Sequence, residues 1–127
     1  MEIWYALTGS IERQNTQETI KWINDELYSK PVTRLRFLLA SGGGEIEAGL
    51  ALYAYLKALP IAEIDMIGFG EVDAAAIPIY LAGKRRYAIE QCQFFFHEGR
   101  YRIVDPIAAI QMHEEAIAIF KRELRTM

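Results

Sequence analysis

Hydrophobic and polar positions follow two alternating periods along the chain. "IWYAL" (3–7) is a short run of β-formers that stops at Thr8-Gly9-Ser10, and it predicts a buried strand. In "NTQETIKWINDELYSKP" apolar residues recur at helical spacing at Ile20, Ile23 and Leu27. Asn15 with Glu18 three positions later reads as a capping box at the start of that helix, and Pro31 ends it. "TRLRFLLA" (33–40) predicts a second strand, whose uninterrupted apolar end suits a sheet covered on both faces. Ser41-Gly42-Gly43-Gly44 breaks the run.

"EIEAGLALYAYLKAL" (45–59) places Ile46, Leu50, Tyr53 and Leu56 on one side and stops before Pro60, which predicts a second helix. "EIDMIG" (63–68) is a third strand, with Gly68-Phe69-Gly70 as a second glycine turn. A short helix is expected from about residue 74 to Ala82, with Pro78 in its first turn and Gly83 closing it. "RRYAI" and "CQFFF" follow as short strands. "DPIAAIQMHEEAIAIFKREL" (105–124) predicts a long last helix with Asp105 as N-cap and Pro106 at its first position.

Alternation of strand and helix predicts an α/β domain with a mainly parallel sheet flanked by helices. The expected organisation is a single domain over 1–127, with the α/β core at about 1–104 and a terminal helix at 105–125. Right-handed crossovers bring the turns 41–44 and 68–70 to the carboxyl ends of neighbouring strands, the edge at which open α/β sheets bind ligands.

Composition narrows the classes. With 52% hydrophobic and 24% charged residues the chain is an ordinary folded domain. A net charge of -3 argues against nucleic acid as a partner, and the runs Lys84-Arg85-Arg86 and Lys121-Arg122 are too short for a binding patch. Cys92 is the only cysteine, which excludes an internal disulfide and a cysteine-based metal site. The start "MEIWYALTGS" lacks the pattern of a secretion signal, and no apolar run is long enough to cross a bilayer. The expectation is a cytoplasmic protein without metal or cofactor.

Each glycine turn opens a helix, so each offers unpaired N–H groups with a partial positive field. Neither turn has the Lys-Ser/Thr ending of a P-loop or the spacing of a dinucleotide fingerprint, which leaves an oxyanion hole or plain tight turns. His97, at the end of "FFF", could act as the base for acyl transfer, while His113 falls on the polar side of the last helix. No nucleophile accompanies them: "GEVDAAAIPIY" offers only Ala74, Ala75 and Ala76 at the strand-to-helix junction.

"SGGGEIEAGLALYAYLK", "IGFGEVDAAAIPIYLAGKRRYA" and "FFFHEG", in this order and spacing, resemble the proteolytic subunit of the Clp protease in the ClpP/crotonase superfamily. "LTGSI" resembles the family's turn after the first strand, and 105–124 its handle helix. The resemblance implies that Ala74 stands at the nucleophilic serine position and His97 at the general base. It also places the backbone oxyanion-hole donors among Gly43, Gly44 and Ala75. It implies a peptide or unfolded-protein substrate bound by strand addition, a homo-oligomer assembled through the 105–125 helix, and an ATP-driven unfoldase as regulatory partner.

Four departures accompany the resemblance. Alanine replaces serine at 74, Gly42 stands where the family has proline, and the stretch from 74 to the histidine is two residues shorter. The chain also stops before the position of the family's aspartate, so the third catalytic member is open among Glu98, Asp105 and Asp73. The implied reading is a ClpP-type serine endopeptidase, inactive as written through an engineered Ser-to-Ala change. The alternatives are a natural pseudo-peptidase acting as a binding or scaffold subunit and a crotonase-like acyl-CoA enzyme.

Overall fold

The computed structural model describes residues 1–95. Strand β1 (Glu2–Thr8) leads through helix α1 (Arg13–Ser29) to β2 (Arg34–Ser41). Helix α2 (Ile46–Ala58) connects β2 to β3 (Glu63–Asp73), and α3 (Ala76–Leu81) connects β3 to β4 (Arg85–Ala88). Strand β5 (Gln93–Phe95) follows. All pairings are parallel, in the order β1-β2-β3-β4, and β5 continues along the same edge of β3 beyond β4.

This order decides where the core lies. Every crossover steps the same way across the sheet, and right-handed crossovers that step the same way put their helices on one face. Helix α1 accordingly packs on α2, and α2 on α3. The strands bury Ile3 and Leu7, Leu35, Phe37 and Leu39, and Ile64 and Met66 against Ile23, Leu52, Leu56, Ile77 and Ile79. Strand β2 alternates strictly, with Leu38 and Ala40 only half-buried between fully buried neighbours. Among the described residues the helices cover the face that carries Leu35, Phe37 and Leu39.

The opposite face carries charge at its lower end. Parallel register sets Glu2, Arg34 and Glu63 side by side, and in the next row Trp4, Arg36, Asp65 and Arg85. Asp65 is buried at 1% exposure, and Arg85 Nε donates to it at 3.0 Å. Arg34 and Arg36 each stand 3.8 Å away from it. Arg34 also pairs with Glu63, and Arg36 pairs with Glu2 at 2.6 Å while its guanidinium lies over the Trp4 ring. A carboxylate this far out of water is tolerable because cations surround it.

Helix α1 begins earlier than the sequence suggests. Glu12 is its N-cap, and Asn15 is the third helical residue, whose Oδ1 accepts the Glu12 N–H at 2.8 Å. Asn15 Nδ2 also donates to the Ser10 carbonyl at 2.6 Å. The capping pair is therefore Glu12 with Asn15 rather than Asn15 with Glu18. The shift reflects Ile11, fully buried, which anchors the chain just before the helix.

Neutralising Asp65 should leave three arginines without their common counter-charge. Asp65→Asn is expected to lower stability by about 2 kcal/mol, discounted from a fully buried pair because the arginines are partly exposed. Urea unfolding followed by circular dichroism measures it, and an unchanged midpoint would show that the network contributes nothing.

Candidate active site

Two stretches predicted as glycine turns differ in kind. Only the first, after β2, is a turn. Gly68, Phe69 and Gly70 lie within β3, which runs on to Asp73. Leu39 pairs with Gly68 and Ser41 with Val72, so β3 holds two more residues than β2 over this stretch and bulges. The glycines are there for space: a Cβ on Gly70 would lie 3.1 Å from the Ala40 Cβ, and one on Gly68 would lie 2.7 Å from the Cys92 sulfur. Sequence patterning reads Gly-Phe-Gly as a break because the same residues serve turns and bulges.

The extension carries β3 past the end of β2 to the sheet's upper edge. Glu71, Val72 and Asp73 pair with Gln93, Phe94 and Phe95 of β5, and the Ala74 N–H donates to the Phe95 carbonyl at 2.9 Å. Ala74 then turns sharply. Its φ is 44°, and it is the only non-glycine residue with positive φ among those described. A residue with a Cβ pays about 1 kcal/mol for this conformation. Ala75 caps α3 directly behind it, so α3 begins later than the predicted residue 74. The result is a strand, a left-handed elbow and a helix.

Opposite the elbow, Ser41 through Gly44 form the turn. Gly43 has φ 96° and Gly44 φ 144°. Ser41, buried, accepts the Gly43 N–H on its Oγ at 3.1 Å. Ile11 holds the turn from the other side: its N–H donates to the Gly43 carbonyl at 2.7 Å and its carbonyl accepts the Glu45 N–H at 2.8 Å. A Cβ on Gly44 would collide with the Ile11 carbonyl oxygen. A Cβ on Gly43 would lie 3.2 Å from the Asp73 carbonyl and 3.3 Å from the Ala74 Cβ. Turn and elbow are thus in contact through Gly43 and Ala74.

The structure brings Ala74, Ala75, Gly43 and Gly44 together. Gly43's N–H is engaged by Ser41, whereas Gly44 donates nothing to the Ile11 bridge. Ala75 stands at the head of α3, where an N–H has no intrahelical acceptor. Asp73 is buried beside the elbow at 5% exposure. His97, Glu98, Asp105, His113 and the 105–125 helix lie outside the described residues.

The Ser41 hydroxyl at the turn, and the Cys92 thiol and Tyr80 hydroxyl beside Gly68, are not ready nucleophiles. Ser41 Oγ is committed to Gly43. Burial pushes the Cys92 thiol up from its ordinary value, only partly offset by a backbone hydrogen bond at Gly70, so it stays protonated near neutral pH. Burial likewise pushes the Tyr80 hydroxyl up, reinforced by Cys92, and Tyr80 donates to the Tyr87 carbonyl at 3.2 Å. Among the described residues no three metal-binding side chains cluster, and no helix is long and apolar enough to cross a membrane. Sequence reasoning missed the Ile11 bridge, although an isolated isoleucine after Thr8-Gly9-Ser10 was a signal that this loop docks inward.

The elements make a parallel α/β sheet wound in one direction, with a glycine turn after its second strand facing a left-handed elbow after its third. The chain belongs to the Clp protease family, whose model matches residues 5–127. ClpP1 N165D from Listeria monocytogenes superimposes with a TM-score of 0.84 at 20% identity, covering 94% of this chain and 71% of that one. The ClpP protease catalytic domain from Plasmodium falciparum gives 0.84 at 19% identity, covering 98% and 67%. ClpP1 from Listeria monocytogenes gives 0.82 at 19%, covering 94% and 71%. No match is found among curated proteins.

Gly49 tests how the elbow is supported. A Cβ there would run into the Ala75 carbonyl oxygen, so the glycine lets α2 pack against the elbow's own backbone. Alanine is the better helix former, by about 1 kcal/mol, so a free helix position would gain from Gly49→Ala. Here the clash prevails, and a net loss of about 1–3 kcal/mol is expected in chemical denaturation. A gain in stability would refute the close approach.

Proposed function

We propose that this chain is a ClpP-type serine peptidase protomer whose nucleophile position, Ala74, lacks its oxygen. The observation that carries the reading is the left-handed Ala74 in contact with the glycine turn. An alanine gains nothing from such a conformation, whereas a serine there would present its hydroxyl at the turn into a helix. The Gly44 and Ala75 N–H groups beside it support an oxyanion hole, with Gly43 shaping the turn. The crotonase-like alternative needs an acyl-CoA, for which nothing described here argues.

With serine at 74 the chemistry would run as follows. The hydroxyl oxygen bonds to the carbonyl carbon of a peptide, His97 takes the hydroxyl proton, and the carbonyl oxygen becomes an anion held by the two N–H groups. Collapse expels the amine, which receives the proton from His97, and water then releases the acyl group by the same steps. Glu98, Asp105 or Asp73 would orient His97. Without the oxygen no acyl-enzyme forms, a loss on the order of a millionfold in rate.

Peptide or unfolded-protein substrates, assembly into a homo-oligomer through the 105–125 helix and delivery by an ATP-driven unfoldase belong to the same proposal. Ile107, Ile110, Ile117, Phe120 and Leu124 support assembly, since on the helix that the sequence predicts they would be more apolar surface than a helix leaves in water. The alanine itself favours a second reading, a natural pseudo-peptidase that binds or scaffolds. The native codon separates the two, since serine at 74 identifies an engineered replacement.

Ala74→Ser is expected to gain labelling by a serine-reactive phosphonate and cleavage of short peptides, with both lost again in Ala74→Ser/His97→Ala. No labelling in correctly assembled Ala74→Ser protein would overturn the peptidase reading. Light scattering at micromolar concentration is expected to show an oligomer, and a monomer would contradict assembly through the last helix.

A further inference from the structure

Two carboxylates are buried among the described residues, Asp65 at 1% and Asp73 at 5% exposure. Arginines surround the first at the lower end of the sheet, whereas the second ends β3 beside Ala74. One of its oxygens, Oδ1, is sealed from water. Val72 belongs to the core, so Asp73, the next residue of an extended chain, points to the opposite side of the strand. The segments that build the elbow and its turn, 41–44, 74–83 and 93–95, contain no charged residue. A carboxylate held out of water is stable only with a cation or proton donors against it.

Strand register supplies a tether. Asp73 pairs with Phe95 across the parallel strands, and the Ala74 N–H donates to the Phe95 carbonyl at 2.9 Å. His97 follows Phe95 by two residues, and two residues of chain span at most about 7 Å. Chain length alone therefore keeps His97 within side-chain reach of both Asp73 and residue 74. Resting on the peptidase reading of this site, we propose that Asp73 is the residue that orients His97. Its carboxylate accepts the imidazole Nδ1–H, which leaves Nε2 to take the proton of a serine at 74. The proton stays on the ring, and the ionised carboxylate stabilises the imidazolium until the leaving amine collects it. Asp73 is thus a positioning residue that touches neither peptide nor nucleophile. Glu98 is next to His97, and adjacent side chains of an extended chain diverge. Asp105 follows His97 by eight residues, too many for chain length alone to hold it near.

The chain with Ala74 allows a test without catalysis. Nitrogen NMR of its two histidines, assigned through His113→Gln, is expected to show neutral His97 carrying its proton on Nδ1. A proton on Nε2 instead would overturn the proposal without any change at Asp73. An anion against Nδ1 favours the charged ring, so the His97 titration midpoint should fall by about one pH unit in Asp73→Asn. It should hold in Glu71→Gln, Glu98→Gln and Asp105→Asn. A midpoint unmoved in folded Asp73→Asn, or moved by one of those three instead, overturns the pairing; the first result would assign the Asp73 counter-charge to Arg100 or Arg102. In the Ala74→Ser background, Asp73→Asn is expected to lower kcat for short peptides on the order of a thousandfold or more, with KM little changed. An unchanged kcat overturns the positioning role and leaves the peptidase reading intact. No labelling of Ala74→Ser, with the His97 titration still coupled to Asp73, counts against the peptidase reading alone.

Discussion

The contact between Gly43 and Ala74 is the constraint on which the upper edge of this protein depends. Two strands of unequal length must end so that the turn after one touches the elbow after the other. The bulge at Gly68–Gly70 supplies the extra length, with two more residues on β3 than on β2. Gly43 and Gly44 supply positive φ and the absence of side chains, because a Cβ on either would press on the elbow or on Ile11. Gly49 does the same from behind, letting α2 reach the Ala75 carbonyl. Four separate glycine requirements thus converge on one point, and the strained residue sits there.

The sheet divides its labour between its two ends. Its lower end is tied by the Asp65 network, where three arginines from β2 and β4 meet one buried carboxylate. Its upper end holds backbone donors and almost no committed side-chain charge near the elbow. One-directional winding explains both, since it collects the helices on one face and leaves the other for charged rows. The apolar core of Phe37, Leu39, Met66 and Ile77 underlies the turn and the elbow, whose geometry is set by backbone rather than by long side chains.

Much of the fold was legible in the chain. Apolar runs of strand length separated by helical spacing gave the α/β alternation, and Pro31 and Pro60 marked helix ends. Ala74, Ala75, Gly43 and Gly44 could be placed together because their motifs follow a family order. Legibility failed where residues act through space. Gly68-Phe69-Gly70 serves a bulge as well as it would a turn, and only the register with β2 distinguishes them. Ile11 and Ser41 stand in the motifs "LTGSI" and "SGGG", yet neither motif reveals that Ile11 brackets the turn by backbone hydrogen bonds or that the Ser41 hydroxyl takes the Gly43 N–H.

The central claim is that the elbow at residue 74 and the turn at Gly44 together hold a reacting peptide carbonyl. A crystal structure of the Ala74→Ser protein treated with a peptide phosphonate tests it most directly. The account predicts a phosphorus–oxygen bond to residue 74, with the phosphoryl oxygen within hydrogen-bond reach of the Gly44 and Ala75 N–H groups. An adduct whose phosphoryl oxygen points away from both donors, or the absence of any adduct at residue 74, would contradict it.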